Sequence, residues 1–402
     1  MYQNMYEYYE NMNISPTYGG FKSWDDLTLY EWERRKLFEE KLYLPTKIFK
    51  NSRLIEFGPD SGENSLVFAM WDANCTLVEP NEKAHEMINH YFKKFKLSHK
   101  LHNMSRLDLK TFSEQTLQFE KYDIIDAEGF IYTVKPDSLW INFFYQLLQD
   151  DGFIILFYSD GFGSFLELFL KVIFTRFKLL TGMSSVESAE KLFRAKWDSI
   201  HHKRSIESWV MDVLESPFVR LRNFYELKTF FKQMKDAGLY LYSSWPPYKD
   251  ELSVYWFKKL LSSDQQMNML NDFITRSRIS HMFGREHFLL INDTSIEEML
   301  WELITLIDGL IDNFNSDQAN ECVEYLSELE KIFNTDMTFS KEQDIAVTLK
   351  TIYSIKYILH LLKQGGPTDL IEFCNNDQPF IQSWGMPSQF AVFRKEIQQK
   401  QT

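Results

Sequence analysis

The sequence has few cysteines and no cysteine motif. Cys75, Cys322 and Cys374 are the only three among 402 residues, and they lie far apart. Neither a Cys-x-x-Cys pair nor a Cys/His cluster is present, which excludes a disulfide framework and a structural zinc site of the usual spacing. We therefore expect a protein of a reducing compartment, the cytoplasm, that binds no metal.

Positive charge is also scarce. The chain has 44 Lys and Arg against 57 Asp and Glu, a net charge of −13. A chain with this net charge lacks the excess of positive charge that is typical of nucleic-acid-binding proteins, so we do not expect a nucleic-acid partner. Residues 171–222 are the exception, with ten Lys and Arg against six Asp and Glu. They predict a basic cap that attracts an acidic small molecule, or alternatively the solvated side of covering helices.

Long uninterrupted apolar runs and low-complexity tracts are missing as well. The most apolar stretch, residues 153–180, is broken by charged residues and glycines, so we expect no membrane span. The first twelve residues place no basic residue before an apolar run, so we expect no signal peptide. Hydrophobic residues at 44% and aromatic residues at 16% indicate a compact globular protein.

One stretch of the sequence carries its main motif, a strand followed by a glycine turn and the start of a helix. Leu54 to Phe57 has the apolar character of a buried strand, Gly58 and Gly62 bracket a tight turn, and a helix is predicted to begin at Glu63. Glycine at both positions lets a ligand approach bare backbone, and the first N–H groups of the helix point to the same place.

A second strand, Cys75 to Val78, ends in an acid, Glu79, seventeen residues after Gly62. An acid at this position binds the ribose hydroxyls in nucleotide-binding α/β domains. NAD binding shares this geometry, but the third glycine of the NAD fingerprint is replaced by Asn64 or Ser65. A glycine turn in an unrelated α/β protein is the other alternative.

These residues resemble the class I S-adenosylmethionine (SAM)-dependent methyltransferases, whose first motif is E/D-x-G-x-G-x-G and whose second motif ends in an acid. Glu56, Gly58, Gly62 and Glu79 match. The sequence departs at Asp60, where the family has its middle glycine, and Asp tolerates a left-handed backbone better than most residues.

The resemblance implies an α/β fold, a doubly wound and mostly parallel seven-stranded sheet with a helical cap insertion and a C-terminal α-helical domain. Strand and helix patterns that alternate along the chain agree with this. We read 240–243 and 253–258 as the late antiparallel pair of strands, 25–42 as a helix over one edge of the sheet, and 390–393 as a further strand. The expected parts are an N-terminal arm and helix at 1–44, the SAM-binding domain at 45–260 with its insertion at 164–235, and the helical domain at 261–402.

The resemblance also implies which residues bind the cofactor, SAM. Glu56 and the glycine turn would surround its methionine portion, Glu79 its ribose and Asn81 its adenine. The full predicted set is Glu56, Gly58, Pro59, Asp60, Gly62, Asn64, Glu79, Pro80, Asn81, Asp108, Glu128 and Gly129.

His201 and His202 in the basic insertion are the candidate catalytic bases. Asp126 and Glu128 raise magnesium-assisted O-methylation as an alternative, but no third ligand is evident. The segment Ala127 to Phe130 differs from the Asn/Asp-Pro-Pro-Tyr turn of enzymes that methylate amino nitrogens.

The predicted function is therefore a cytoplasmic SAM-dependent methyltransferase that acts on a small or medium acidic metabolite at oxygen. The alternatives are a catalytically weak, methyltransferase-like assembly subunit and an RNA or protein methyltransferase. Residues 293–340 carry a single lysine among many acids, and this acidic helical region could form a homo-oligomer or bind a protein partner.

Overall fold

The structure is a computed structural model. It describes residues 4–12, 20–115, 120–201, 204–248, 261–285, 287–291, 294–335 and 342–395.

A seven-stranded sheet forms the centre of the sheet-containing part of the chain. Its strands are β1 Arg53–Phe57, β2 Asn74–Val78, β3 Leu101–Ser105, β4 Tyr122–Glu128, β5 Leu148–Ser159, β6 Leu239–Trp245 and β7 Ser388–Lys395. The spatial order is β3-β2-β1-β4-β5-β7-β6. The strand pairs β1–β2, β1–β4, β2–β3 and β4–β5 are parallel, and the pair β6–β7 is antiparallel. The strand order reverses between β1 and β4, and ligands of open parallel sheets bind at such a reversal. The predicted fold class is confirmed.

Helices fill the connections. The α-helices are α1 Met5–Met12, α2 Trp24–Lys36, α3 Glu63–Met70, α4 Glu82–Lys94, α5 Leu109–Gln115, α6 Asp137–Leu147, α7 Phe165–Thr181, α8 Ser185–Trp197, α9 Ile206–Trp209, α10 Leu227–Asp236, α11 Ser263–Phe283, α12 Ile296–Asp312, α13 Ser316–Thr335, α14 Glu342–Gln364, α15 Pro367–Asn376 and α16 Gln378–Gln382. Leu37–Lys41 and Val210–Leu214 are π-helical, and Thr46–Phe49, Ser98–Lys100, Ile131–Thr133 and Leu221–Asn223 are short 3₁₀ helices.

The chain divides into two compact units. The first contains residues 1–158, 228–248 and 389–402, and the second contains 159–227 and 249–388. The first segment of the second unit starts close to the predicted insertion at 164–235. At the other end the division differs from the predicted helical domain 261–402, because residues 389–402 group with the sheet.

The seventh strand comes from an unexpected place in the chain. Residues 253–258, which we predicted to pair with 240–243, lie outside the described residues. The described partner of β6 is β7, which contains the apolar residues 390–393, and it lies between β5 and β6. The first unit therefore needs a strand that follows all the helices of the second.

Helix α2 packs against α3 and reaches the tip of the central strand β4, rather than covering an edge strand. It begins after a capping box in which the Ser23 hydroxyl accepts the Asp26 N–H at 3.2 Å and the Asp26 carboxylate accepts the Ser23 N–H at 2.9 Å. The π-helical turn that continues α2 is anchored by four aromatic side chains with ring centroids 4.9–5.9 Å apart, those of Phe38, Phe49, Phe68 and Trp71. Since Phe68 and Trp71 belong to or follow α3, this packing sets α2 against the helix that follows β1. The predicted edge position is wrong.

By length and composition, one helix of the described chain, Gln343–Gln364 within α14, could cross a membrane, and half of its apolar window is buried inside the protein. The apolar stretch 153–180 forms most of β5 and α7.

Candidate functional site

The turn after β1 uses three residues with left-handed backbone. Gly58, Asp60 and Gly62 have φ values of 66°, 47° and 86°. The Gly58 N–H donates to the Val78 carbonyl at 2.9 Å and the Gly62 N–H to the Pro59 carbonyl at 2.8 Å. Asp60 therefore adopts the conformation for which the family normally uses glycine, and the turn closes without the missing glycine.

Both glycines of the turn also lack space for a side chain. A Cβ on Gly58 would lie 2.8 Å from the Phe130 ring, and one on Gly62 would lie 2.8 Å from Ile88. Side chains therefore approach the turn closely, and the ring of Phe130 covers the first glycine.

Glu79 joins the turn to the loop after β2. Its carboxylate accepts the Asp60 N–H at 3.1 Å and the Asn81 N–H at 2.9 Å, one on each oxygen. The side chain is buried, and this burial raises the pKa of Glu79 to about 8, although the two hydrogen bonds oppose the shift. The two predicted motifs thus meet at one rim of the sheet.

The residues after Glu79 start α4. The Asn81 side chain caps this helix by accepting the Lys83 N–H at 2.9 Å, and a ring nitrogen of His85 lies 2.6 Å from the Glu79 carbonyl. Pro80 stands between them, partly buried. The Asn81 amide therefore has a structural role in the helix cap, whereas its predicted place beside adenine stays a prediction.

The buried carboxylate of Glu56 lies at the end of β1. The Ser65 hydroxyl, from the first turns of α3, donates a hydrogen bond to it. Burial raises the pKa of Glu56 to about 8, and the Ser65 hydrogen bond opposes this. In the sheet register Glu56 is the partner of Asp126 on β4.

The tip of β4 carries a bidentate ion pair with α2. Arg34 on α2 binds Glu128 through two nitrogens, with Nη1–Oε2 at 3.0 Å and Nη2–Oε1 at 2.5 Å. The Asn64 amide donates to Glu128 at 3.1 Å, and the Tyr30 hydroxyl donates to Asn64 at 2.7 Å. Gly129 follows with φ 83° and donates its N–H to the Phe157 carbonyl. These bonds hold α2 over the strand tips.

The remaining predicted residues have other contacts. The carboxylate of Asp108 caps α5 by accepting the Thr111 N–H at 2.8 Å and the Thr111 hydroxyl at 3.0 Å. His201 is exposed just after α8 in the second unit, and His202 lies outside the described residues. Pro59 is buried within the turn. The cofactor and base roles assigned to these residues stay predictions.

Metal chemistry has no obvious ligand set here. Over the described ranges, no group of three or more His, Cys, Asp or Glu side chains is placed to hold a metal ion. Glu128, which we considered as a magnesium ligand with Asp126, binds Arg34 instead.

Sequence reasoning missed Arg34 and Tyr30. Both lie on the face of α2 that carries Leu27 and continues to Phe38 in the following π-helical turn, at spacings of three and four residues. An arginine in an apolar helix face was the available signal, because a buried guanidinium requires a carboxylate partner.

The chain is similar to solved methyltransferase structures at low sequence identity. A search of curated protein sequences finds no match. Among solved structures, a SAM-dependent methyltransferase from Agrobacterium tumefaciens is 17% identical over 33% of this chain and 45% of its own, with a TM-score of 0.27. PKMT2 from Rickettsia typhi in complex with AdoHcy is 12% identical over 87% of this chain and 49% of its own, with a TM-score of 0.37.

A coclaurine N-methyltransferase bound to N-methylheliamine and SAH is 13% identical over 98% of this chain and 82% of its own, with a TM-score of 0.37. The chain spans less than half the length of the first solved structures that it matches. A family model described as a methyltransferase domain matches residues 29–244, more than half of the chain, from within α2 to the end of β6. With this match and the strand order of the sheet, the chain belongs to the class I SAM-dependent methyltransferase family.

Proposed function

We propose that this protein transfers the methyl group of SAM to a small-molecule acceptor. One observation carries the proposal: the Asp60 N–H donates to the Glu79 carboxylate. The left-handed turn after β1 and the acid after β2 therefore form one rim at the carboxyl ends of the strands. Parallel α/β sheets bind nucleotides at this rim, next to the reversal of strand order.

The residues of the rim fit an adenosyl group. In its ionised form, each oxygen of Glu79 accepts one backbone N–H and keeps a further lone pair. Two neighbouring ribose hydroxyls are the donors that would use them. The Phe130 ring covers Gly58, so the cofactor would lie beside this ring or displace it.

Bound at this rim, SAM supplies a methyl group on a sulfonium whose leaving group is neutral. The protein then has to hold the acceptor in line with that methyl group and to remove a proton where the acceptor keeps one. His201 and His202 remain the predicted bases for that step.

The charge of the second unit bears on the nature of the acceptor. Its predicted acidity came from the basic stretch 171–222, but several of these cations are already paired within the second unit. Lys171 donates to the carbonyls of Ser216 and Val219, and Lys178 binds Glu215. The proposal therefore extends only to a small molecule, and methylation of an acidic metabolite at oxygen stays a prediction.

Binding calorimetry with SAM, S-adenosylhomocysteine and NAD tests the cofactor. We expect the first two to bind and NAD not to. Glu79→Gln keeps the shape of the side chain but removes one acceptor, so it should weaken both adenosyl ligands about tenfold. The exposed Glu86→Gln on α4 is the matched control and should change nothing. Binding of NAD alone would overturn the proposal, and unchanged affinity in Glu79→Gln would remove the ribose assignment.

Turnover separates an enzyme from an assembly subunit. The wild-type protein is incubated with SAM and with pools of carboxylic acids, phenols and amines, and formation of S-adenosylhomocysteine is measured. Methylation in the carboxylic acid or phenol pool alone would support acceptor oxygen, and methylation in the amine pool alone would contradict it. Binding of SAM without product in any pool would favour the catalytically weak subunit.

A further inference from the structure

The outward face of α2 exposes large apolar side chains. Trp24, Leu29 and Trp32 are 48%, 56% and 50% exposed. At about 100° per residue the three lie on one side of the helix, opposite to the side that carries Tyr30 and Arg34. Single exposed apolar side chains are common on proteins, but two tryptophans and a leucine on one helix face form the kind of patch that marks an interaction surface.

Charged side chains flank this patch at the two ends of the helix. Asp25 lies in the first turn and Lys36 in the last turn, and both are exposed. The Lys36 ammonium group lies 3.8 Å from the centroid of the Trp32 ring, which holds its charge beside the apolar patch. The face therefore combines an apolar centre with one negative and one positive end.

The apolar and the charged residues of this face share one midpoint. Leu29 and Trp32 are centred between residues 30 and 31, and so are Asp25 and Lys36. A two-fold axis through that midpoint pairs two antiparallel copies of α2 so that Leu29 of one copy meets Trp32 of the other and Asp25 meets Lys36. Parallel helices would instead place Asp25 beside Asp25 and Lys36 beside Lys36. The face is thus complementary to itself in the antiparallel orientation.

We propose that this face of α2 binds the same face of a second copy of the chain in an antiparallel, two-fold symmetric dimer. Such an interface requires one surface patch that is complementary to itself, and the shared midpoint meets this requirement. The surface is distinct from the acidic helical region 293–340. One helix face per copy lies at the small end of specific interfaces, and each copy carries a net charge of −13. We therefore expect a dimer that dissociates on dilution.

Sedimentation velocity of the full-length protein tests the proposal, at about 0.15 M salt, where surface charges more than about 8 Å apart are largely screened. We expect a monomer on dilution and, at high concentration, a dimer of twice the 48.1 kDa chain mass. Leu29→Glu places two carboxylates in the apolar centre and should weaken the dimer at least about tenfold, because the symmetry counts each substitution twice. Tyr353→Glu on α14, where Tyr353 is 62% exposed, is the matched control and should not change the association.

Charge reversal tests the orientation of the two helices. Asp25→Lys and Lys36→Asp each place like charges opposite one another and should weaken the dimer about tenfold. The swapped variant Asp25→Lys/Lys36→Asp restores opposite charges across the antiparallel interface and should recover most of the affinity. Urea unfolding of every variant checks that the protein remains folded, since these substitutions also oppose the helix dipole.

Several outcomes would overturn the proposal. The wild-type protein could remain a monomer at the highest concentration, or its dimer could dissociate in Tyr353→Glu and persist in Leu29→Glu, which would move the interface to α14. A swapped variant that associates as weakly as the two single variants would exclude the antiparallel pairing. A monomer that co-sediments with phosphatidylcholine vesicles, and loses this property in Leu29→Glu, would assign the face to a membrane surface instead.

Discussion

At the scale of single residues, Glu79 makes the stability of the protein depend on pH. Its pKa in the folded state is about 8, because burial disfavours the ionised carboxylate, whereas the ordinary value is 4.5. A raised carboxyl pKa means that the folded state holds a proton that the unfolded state releases. Its contribution to stability is therefore complete below about pH 4.5 and is lost as the pH rises through about 8.

We expect Glu79→Gln, which cannot ionise, to gain stability relative to the wild-type protein between pH 5 and pH 8. Urea unfolding midpoints of both proteins at several pH values measure this difference, and Glu86→Gln serves as the exposed control. A stability difference that stays constant between pH 5 and pH 8 would mean that Glu79 is already ionised near pH 5 in the folded protein.

Two features of Gly58 disfavour a side chain there: its left-handed backbone and the nearby Phe130 ring. Their contributions to stability can be measured separately. Gly58→Ala should cost roughly 1–2 kcal/mol of unfolding free energy for the backbone, and more for the contact with Phe130. Gly182→Ala is the control, since Gly182 has the same φ of 66° and nothing within 4 Å of an added Cβ. Adding Phe130→Ala to Gly58→Ala should make the cost of the glycine substitution similar to that of Gly182→Ala. A cost that stays unchanged without the ring would refute the contact.

At the scale of elements, local signals were sufficient for the glycine turn and for α2 but not for their surroundings. The turn at Gly58 and Gly62 is determined by residues close to it in the sequence. The sequence therefore predicted the turn and its spacing from Glu79 along the chain. The helix at 25–42 was also predicted nearly in place. Its position over β4 depends on the pairing of Arg34 with Glu128, ninety-four residues away, and no local pattern specifies such a partner.

The seventh strand shows the same limit. The apolar pattern of 390–393 indicated a strand, but the pattern at 253–258 was closer in sequence to β6 and was assigned to the sheet instead. A strand buried between two others is selected by long-range pairing and packing more than by its own propensity. Because a long helical region separates β6 from β7 in the sequence, no local pattern indicated that these two strands pair.

Ala391→Pro tests whether β7 is integral to the sheet. Ala391 is buried and pairs with Ser244, and proline there removes an N–H donor from a strand flanked on both sides. We expect a loss of about 1–3 kcal/mol or more in unfolding free energy, because a buried carbonyl loses its donor, measured by urea unfolding, with loss of S-adenosylhomocysteine binding. Ser388→Pro, at the exposed first residue of the same strand, should be tolerated. Equal stability of the two variants would contradict this pairing.

At the scale of the whole molecule, charge decides between the remaining alternatives for the substrate. The net charge of −13 opposes a polyanion, and the basic stretch 171–222 is the part that could overcome it. Within the second unit, Arg220 binds Asp308 and Asp312 with all three guanidinium nitrogens, and Lys196 is buried against the carbonyls of Phe380 and Ser383. Cations engaged in this way are unavailable to phosphates.

We therefore predict that the protein does not bind RNA in the manner of an RNA methyltransferase. A protein that neutralises several phosphates binds more tightly at low salt, and its affinity falls steeply as salt rises, because counterions are released. Fluorescence anisotropy with a labelled 30-nucleotide RNA, at 50 and 200 mM KCl, should show no binding below about 10⁻⁶ M protein at either concentration. A basic RNA-binding protein measured in parallel confirms that the RNA is competent. Submicromolar binding at 50 mM KCl that is lost at 200 mM would refute the prediction and restore the RNA methyltransferase alternative.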